Sequence, residues 1–192
     1  SASDRSRNKI LWKQIPKHRH KMLIFKDKFG NAHDELLTDT MKIERIHEGV
    51  IIKVKGKMTT EKTTVDDSMF GGNASAEGVD AEGCEDAGQS GIDVVLAHRL
   101  MAYDLKKKDY MTHIKEYIGK VKAAIEEECP EKLETFVKES QKFVKGVIGE
   151  FKEWDFFCGE SMDPEGMLVL VKWEGTDPYL YYFAHGLDEE KV

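Results

Sequence analysis

With 192 residues, 40% hydrophobic and 34% charged, the chain has the composition of a soluble globular protein able to bury a core as one domain. No apolar run approaches the length of a bilayer span, none has the form of a signal peptide, and three cysteines without a CxxC pair argue against a disulfide framework and a tetrahedral zinc site. The net charge of −7 is unevenly spread: residues 1–21 carry +6 and the remainder −13.

The basic segment up to Lys21 offers a contact for nucleic acid or acidic lipid, but the simpler expectation is a poorly ordered or appended extension ahead of the domain. The body is net negative and its aromatics fall among core positions, so nucleic acid is not the expected partner. Cysteine usage suits a reducing compartment, and the cytoplasm is the expected location.

From Met22 the pattern is β-like. Leu23 and Phe25 alternate with Ile24 and Lys26, and Met41–Ile46 and Val50–Val54 flank the hairpin signal His47-Glu-Gly49. The Thr-rich Met58–Val65 is a further strand candidate. Residues 66–91 lose all periodicity. They carry Asp66, Asp67, Glu77, Asp80, Glu82, Glu85 and Asp86 among glycines and small residues, without Lys or Arg, which predicts a long mobile acidic loop. Gly91–Leu100 reads as a short helix or strand.

Helical periodicity then dominates. Met111, Ile114, Ile118, Val121 and Ile125 form one apolar stripe. Leu133, Phe136, Val137, Val144, Val147, Ile148 and Phe151 form a second, and Cys129-Pro130 breaks the chain between them. Two helices so joined make an antiparallel hairpin over about 106–152. Phe151–Glu160 reads as a helix end leading into a glycine turn that carries Glu160. Met167–Trp173 and Tyr179–Phe183 are strands around the turn Glu174-Gly-Thr-Asp-Pro178. Strands, then helices, then strands predict an α+β fold with largely antiparallel sheet.

Candidate chemistry is non-covalent. The histidines at 18, 20, 33, 47, 98, 113 and 185 form no helical i,i+4 pair and no acid–base–nucleophile set; His98 and His113 read as surface or capping residues, Cys158 as a small buried hydrophobe. No enzymatic activity is expected. Asp80, Glu82, Glu85 and Asp86 are weak calcium candidates because hard cations take carboxylate oxygens; their spacing is not that of an EF-hand, so a solvated acidic loop stands beside that reading. In Phe70–Glu77, Gly71 and Gly72 permit unusual torsions and Asn73 and Ser75 can satisfy backbone groups, either as a turn or as a partner surface presenting Glu77. The hairpin lysines Lys115, Lys120, Lys122, Lys138, Lys142 and Lys145 suit an acidic partner such as tubulin, or a solvated face with i,i+4 pairs such as Glu116–Lys120.

Two segments, Phe70-Gly-Gly-Asn-Ala-Ser-Ala-Glu77 and Phe151-Lys-Glu-Trp-Asp-Phe-Phe-Cys-Gly-Glu160, closely resemble the two signatures of the translationally controlled tumour protein (TCTP) family. Met22-Leu-Ile-Phe, Asp34-Glu-Leu-Leu-Thr-Asp39 and Tyr182-Phe-Ala-His-Gly-Leu187 look similar as well, so the resemblance covers residues 22–192. It implies a single domain: a β-tent with a protruding helical hairpin and a mobile acidic loop, related in shape to zinc-binding chaperones of Rab GTPases whose cysteine pairs are missing here. It further implies calcium binding, microtubule association through the hairpin, and growth and survival regulation through a Rheb-like small GTPase. Glu35 falls on the acidic position tied to GTPase contact, with Glu77 and Glu160 similarly placed. One extra residue lies between Asp27 and Asp34, and the terminal Lys191-Val192 lacks the family's dimerising cysteine, so a mostly monomeric protein is expected.

Overall fold

The computed structural model describes residues 22–61 and 89–192. Eleven strands and three α-helices run in the order β1 (Leu23–Asp27), β2 (Glu35–Thr38), β3 (Ile43–Ile46), β4 (Ile51–Lys55), β5 (Met58–Glu61), β6 (Gln89–Ile92), α1 (Asp93–Ala97), β7 (Met101–Ala102), α2 (Lys107–Glu128), α3 (Leu133–Gly149), β8 (Trp154–Cys158), β9 (Val169–Glu174), β10 (Asp177–Phe183) and β11 (Leu187–Lys191) among the described residues. They build a three-stranded sheet β11-β1-β2, a six-stranded sheet β3-β4-β10-β9-β8-β7 and the pair β5-β6, and every pairing is antiparallel. The fold is α+β with one helical hairpin, as the element order predicts.

Strands β9 and β10 are the centre of the large sheet. Val169, Leu170, Val171, Leu180, Tyr181, Tyr182 and Phe183 are all buried, a continuous rather than alternating pattern, because both faces of these strands are covered. On one face Phe143 of α3 packs on Tyr181 and Phe183. On another side Ile92 and Leu180 converge on Gly56, where an added Cβ would lie 2.6 Å from Ile92. Each such aliphatic or aromatic side chain contributes roughly 1.5–3 kcal/mol on burial.

The helices follow the predicted periods with local corrections. In α2 the buried positions are Tyr110, Ile114, Tyr117, Val121 and Ile125, whereas Met111 is exposed. Tyrosine supplies the stripe where methionine was expected. In α3 the core positions are Phe136, Phe143 and Val147, joined by the polar Glu139 and Ser140. The expected Glu116–Lys120 pair is replaced by Lys120–Glu165 at 2.7 Å, a contact to a distant loop. Glu128, at the C-terminal end of α2 where a negative charge is disfavoured, is met by Lys28 at 2.6 Å.

Three further boundaries differ from the sequence reading. Residues 89–91, assigned to the acidic loop, belong to β6, and the rest of that loop lies outside the described residues. Gly91–Leu100 holds both a strand end and a helix, because Asp93 opens α1 while bonding the amides of Lys57 and Val94. Residues 154–158, read as the run-out of a helix, form strand β8, so Glu160 follows a strand rather than a helix. No helix among the described residues is long and apolar enough to cross a membrane.

Candidate functional site

Three carboxylates join the turn between β1 and β2 to the loop between β8 and β9. Asp27, at the end of β1, is buried and accepts the amides of Phe29 at 3.0 Å and Met167 at 2.7 Å. Gly30 and Gly166 flank it so closely that a Cβ on either would lie 2.7 or 2.6 Å from its Oδ2. Burial pushes the Asp27 carboxyl up, and the backbone amides oppose that shift. Asp163 accepts the Glu165 amide at 2.9 Å and the amide and side-chain nitrogen of Asn31 at 2.6 and 2.9 Å; the Glu165 amide first, then Asn31, holds its carboxyl below the usual range. Asp34 accepts the amide and hydroxyl of Ser161 at 3.1 and 2.5 Å. Its carboxylate lies over Gly159, whose missing side chain makes the approach possible.

This stapling brings the start of β2, the turn after β8 and the end of α1 around one polar cleft of about 450 Å³, lined by Ala32, His33, Asp34, Glu35, Ala97, His98, Arg99 and Glu160. Arg99 follows α1 in a left-handed conformation (φ 51°), its amide bonding Leu96 O at 3.2 Å. Its guanidinium meets Glu160 at 3.1 Å. Glu35 stands opposite Lys26 in the β1–β2 register, is exposed, and has no hydrogen-bond or ion-pair partner among the described residues. His33 Nδ1 lies 3.0 Å from Asp27 O. His98 Nε2 is buried without a hydrogen-bond partner among the described residues, and burial lowers its pKa, so at neutral pH it adds no charge to the cleft.

The cleft can therefore offer carboxylate oxygens to a cation. Among the described residues its lining carries no Ser, Thr, Cys or Lys side chain. Burial, with Asp34 nearby, pushes the Cys158 thiol up, and its sulfur faces Met101 O at 3.6 Å. Among the described residues no group of three or more His, Cys, Asp or Glu could hold a metal ion.

Of the residues singled out from sequence, Glu35 and Glu160 are brought together on this cleft. Glu77, Gly71, Gly72, Asn73, Ser75 and the calcium candidates Asp80, Glu82, Glu85 and Asp86 lie outside the described residues. The six hairpin lysines separate. Lys122, Lys138, Lys142 and Lys145 rim a groove of about 740 Å³ floored by Pro130, Leu133 and Val137. Lys120 is held by Glu165, and Lys115 lies beside Met111 on another surface. His98 and His113 are half-buried rather than surface residues, and His113 Nε2 lies 3.1 Å from Gly166 O. Arg99, His98 and Ser161 were not legible as site residues. Arg99 and Glu160 are 61 positions apart, Asp34 and Ser161 are 127 apart, and no local spacing marks either pair.

A family model described as translationally controlled tumour protein matches residues 22–188. The translationally-controlled tumor protein homolog of Lumbricus rubellus is 50% identical over 171 residues, covering 89% of this chain and 100% of that protein. The human translationally-controlled tumor protein is 38% identical over 173 residues, covering 88% and 99%. Among solved structures, the translationally controlled tumor-associated protein of Schizosaccharomyces pombe superposes with a TM-score of 0.72 at 35% identity, covering 88% of this chain and 99% of that one. The Caenorhabditis elegans structure, at a TM-score of 0.64 and 24% identity, shares the fold.

Proposed function

The chain belongs to the translationally controlled tumour protein family, and from that premise we propose that it is a non-catalytic regulatory protein whose cleft carboxylates engage a small GTPase of the Rheb type. The observation that carries the reading is the convergence of Glu35 and Glu160 on one cleft built by rigid strand ends. A carboxylate pair fixed in this way suits a lysine or arginine side chain on the partner. Glu77, in the first signature, is a further contact candidate outside the described residues. The protein acts in the cytoplasm, mostly as a monomer, in growth and survival control.

The test is GTPase affinity by calorimetry for Glu35→Val and Glu160→Ala. Each exposed carboxylate is expected to contribute about 0.2–1 kcal/mol. Unchanged affinity in both variants removes the reading.

A second reading, microtubule binding, is favoured by the convergence of Lys122, Lys138, Lys142 and Lys145 on one groove. Co-sedimentation with microtubules should fade as salt rises, because lysine-driven contacts are screened. Salt-insensitive pelleting removes it. Calcium binding at Asp80, Glu82, Glu85 and Asp86 is proposed as weak, and amide NMR shifts in a calcium titration would locate it or show that it is missing.

A further inference from the structure

We propose that Arg99 guards the cleft: its guanidinium occupies Glu160 in the place that a partner's cationic side chain takes, so Glu35 and Glu160 act together only once the internal pair opens. This rests on the reading above that the cleft receives a lysine or arginine.

The cleft's three carboxylates are in different states. Asp34 is committed to Ser161 through two hydrogen bonds, Glu160 is held by Arg99, and Glu35 has no hydrogen-bond or ion-pair partner among the described residues. Only one of the two surface carboxylates is therefore ready for an incoming cation.

Arg99 is placed for this role by its backbone. Arg99, two residues beyond the end of α1, is left-handed at φ 51°, a conformation that favours glycine, and the following amide, Leu100 N, bonds Val95 O at 2.9 Å, which fixes the direction of the turn. That direction sends the guanidinium across the cleft to Glu160. The pair is also easy to open. The Arg99 and Glu160 side chains are 74% and 58% exposed, and ion pairs in water of this kind are weak. An incoming cation displaces the guanidinium into solvent without unfolding anything. The other basic side chains lining the cleft do not compete: His33 is engaged with the Asp27 carbonyl and His98 is uncharged at neutral pH.

The experiment measures affinity for the same GTPase with the whole chain as wild type, Arg99→Ala, Arg99→Lys, Glu160→Ala, the double variant Arg99→Ala/Glu160→Ala, and Glu35→Val. Arg99→Ala is expected to tighten binding about two- to fivefold, the range an exposed ion pair can hold back, and Arg99→Lys to leave it near wild type. In the Glu160→Ala background the gain from Arg99→Ala should largely vanish, since the competition acts through Glu160. Weaker binding by Arg99→Ala, or a gain that is equal in both backgrounds, overturns the guard. Those results with Glu35→Val still weakening the complex leave the parent reading in place. No effect from Glu35→Val and Glu160→Ala removes both.

Discussion

His47 Nδ1 lies 3.1 Å from Oε2 of Glu139, a carboxylate only 4% exposed on α3. The other oxygen of Glu139 receives Lys142 Nζ at 2.5 Å. His47 and Glu48 are both left-handed (φ 51° and 54°), turning the β3–β4 corner so that the imidazole reaches α3, where it also stands edge-on to Phe143 at 5.8 Å. One buried acid thus ties the helical hairpin to the edge of the large sheet.

Glu139→Ala is expected to lower the melting temperature more than Glu139→Gln, and Lys142→Ala least, because the lysine head is 57% exposed. Lys142 first and His47 second hold the Glu139 carboxyl below its ordinary value of 4.5. A depressed carboxyl stabilises the fold fully above the unfolded value, and that contribution is lost as pH falls through the folded one. Thermal melts between pH 7 and 3 should show a shallower acid limb for Glu139→Gln; identical limbs would contradict this account.

Gly159→Ala tests the seat of Asp34. The new Cβ would lie 2.6 Å from Asp34 Cβ and 2.7 Å from its Cγ, so the carboxylate must leave Ser161. Overpacking of this kind costs about 1–3 kcal/mol. The expected result is a lower urea midpoint and, on the proposed reading of the cleft, weaker binding of the GTPase. A variant as stable as wild type would show that Asp34 has room to move.

Arg99→Gly should raise stability by roughly 1 kcal/mol, because glycine takes the left-handed conformation at φ 51° without the steric cost borne by a side chain. Arg99→Ala keeps that cost and should gain nothing. Chemical denaturation of the two variants side by side decides the point, and equal stabilities would place the strain elsewhere.

His98, His113 and His185 all have pKa values lowered from 6.5, in each case first by burial. The unfolded chain binds protons at a higher pH than the folded one, so stability falls as pH drops below the ordinary histidine value. The urea midpoint is expected to be flat from pH 8 to 7 and to decline from 7 to 5.5, with a smaller decline in His113→Gln. A midpoint independent of pH across that window would mean that these imidazoles are solvated.

Much of the architecture is legible in the chain because local periodicity carries it. Ile114, Val121 and Ile125 recur at helical spacing and do face the core, and Pro130 sits where the hairpin turns. The hairpin signal His47-Glu-Gly49 joins two antiparallel strands. Strand β8 is not legible in the chain because its aromatic run also fits a helix end, and period alone cannot separate the two over five residues. Met111 and the pair Glu116–Lys120 depart from the sequence pattern because the neighbours that decide them, the tyrosines of α2 and Glu165, belong to packing rather than spacing.

The amino-acid order by itself determined an α+β chain with a two-helix insertion and a glycine turn carrying Glu160, since these depend on propensity, period and turn chemistry. Only the tertiary structure decided that Glu35 and Glu160 share a cleft, that Arg99 covers one of them, and that four hairpin lysines rim one groove while two lie elsewhere. The reason is physical: ion pairs and hydrogen bonds act over a few ångströms in space, and the residues they join here stand 61 and 127 positions apart, where no pattern along the chain can register their meeting.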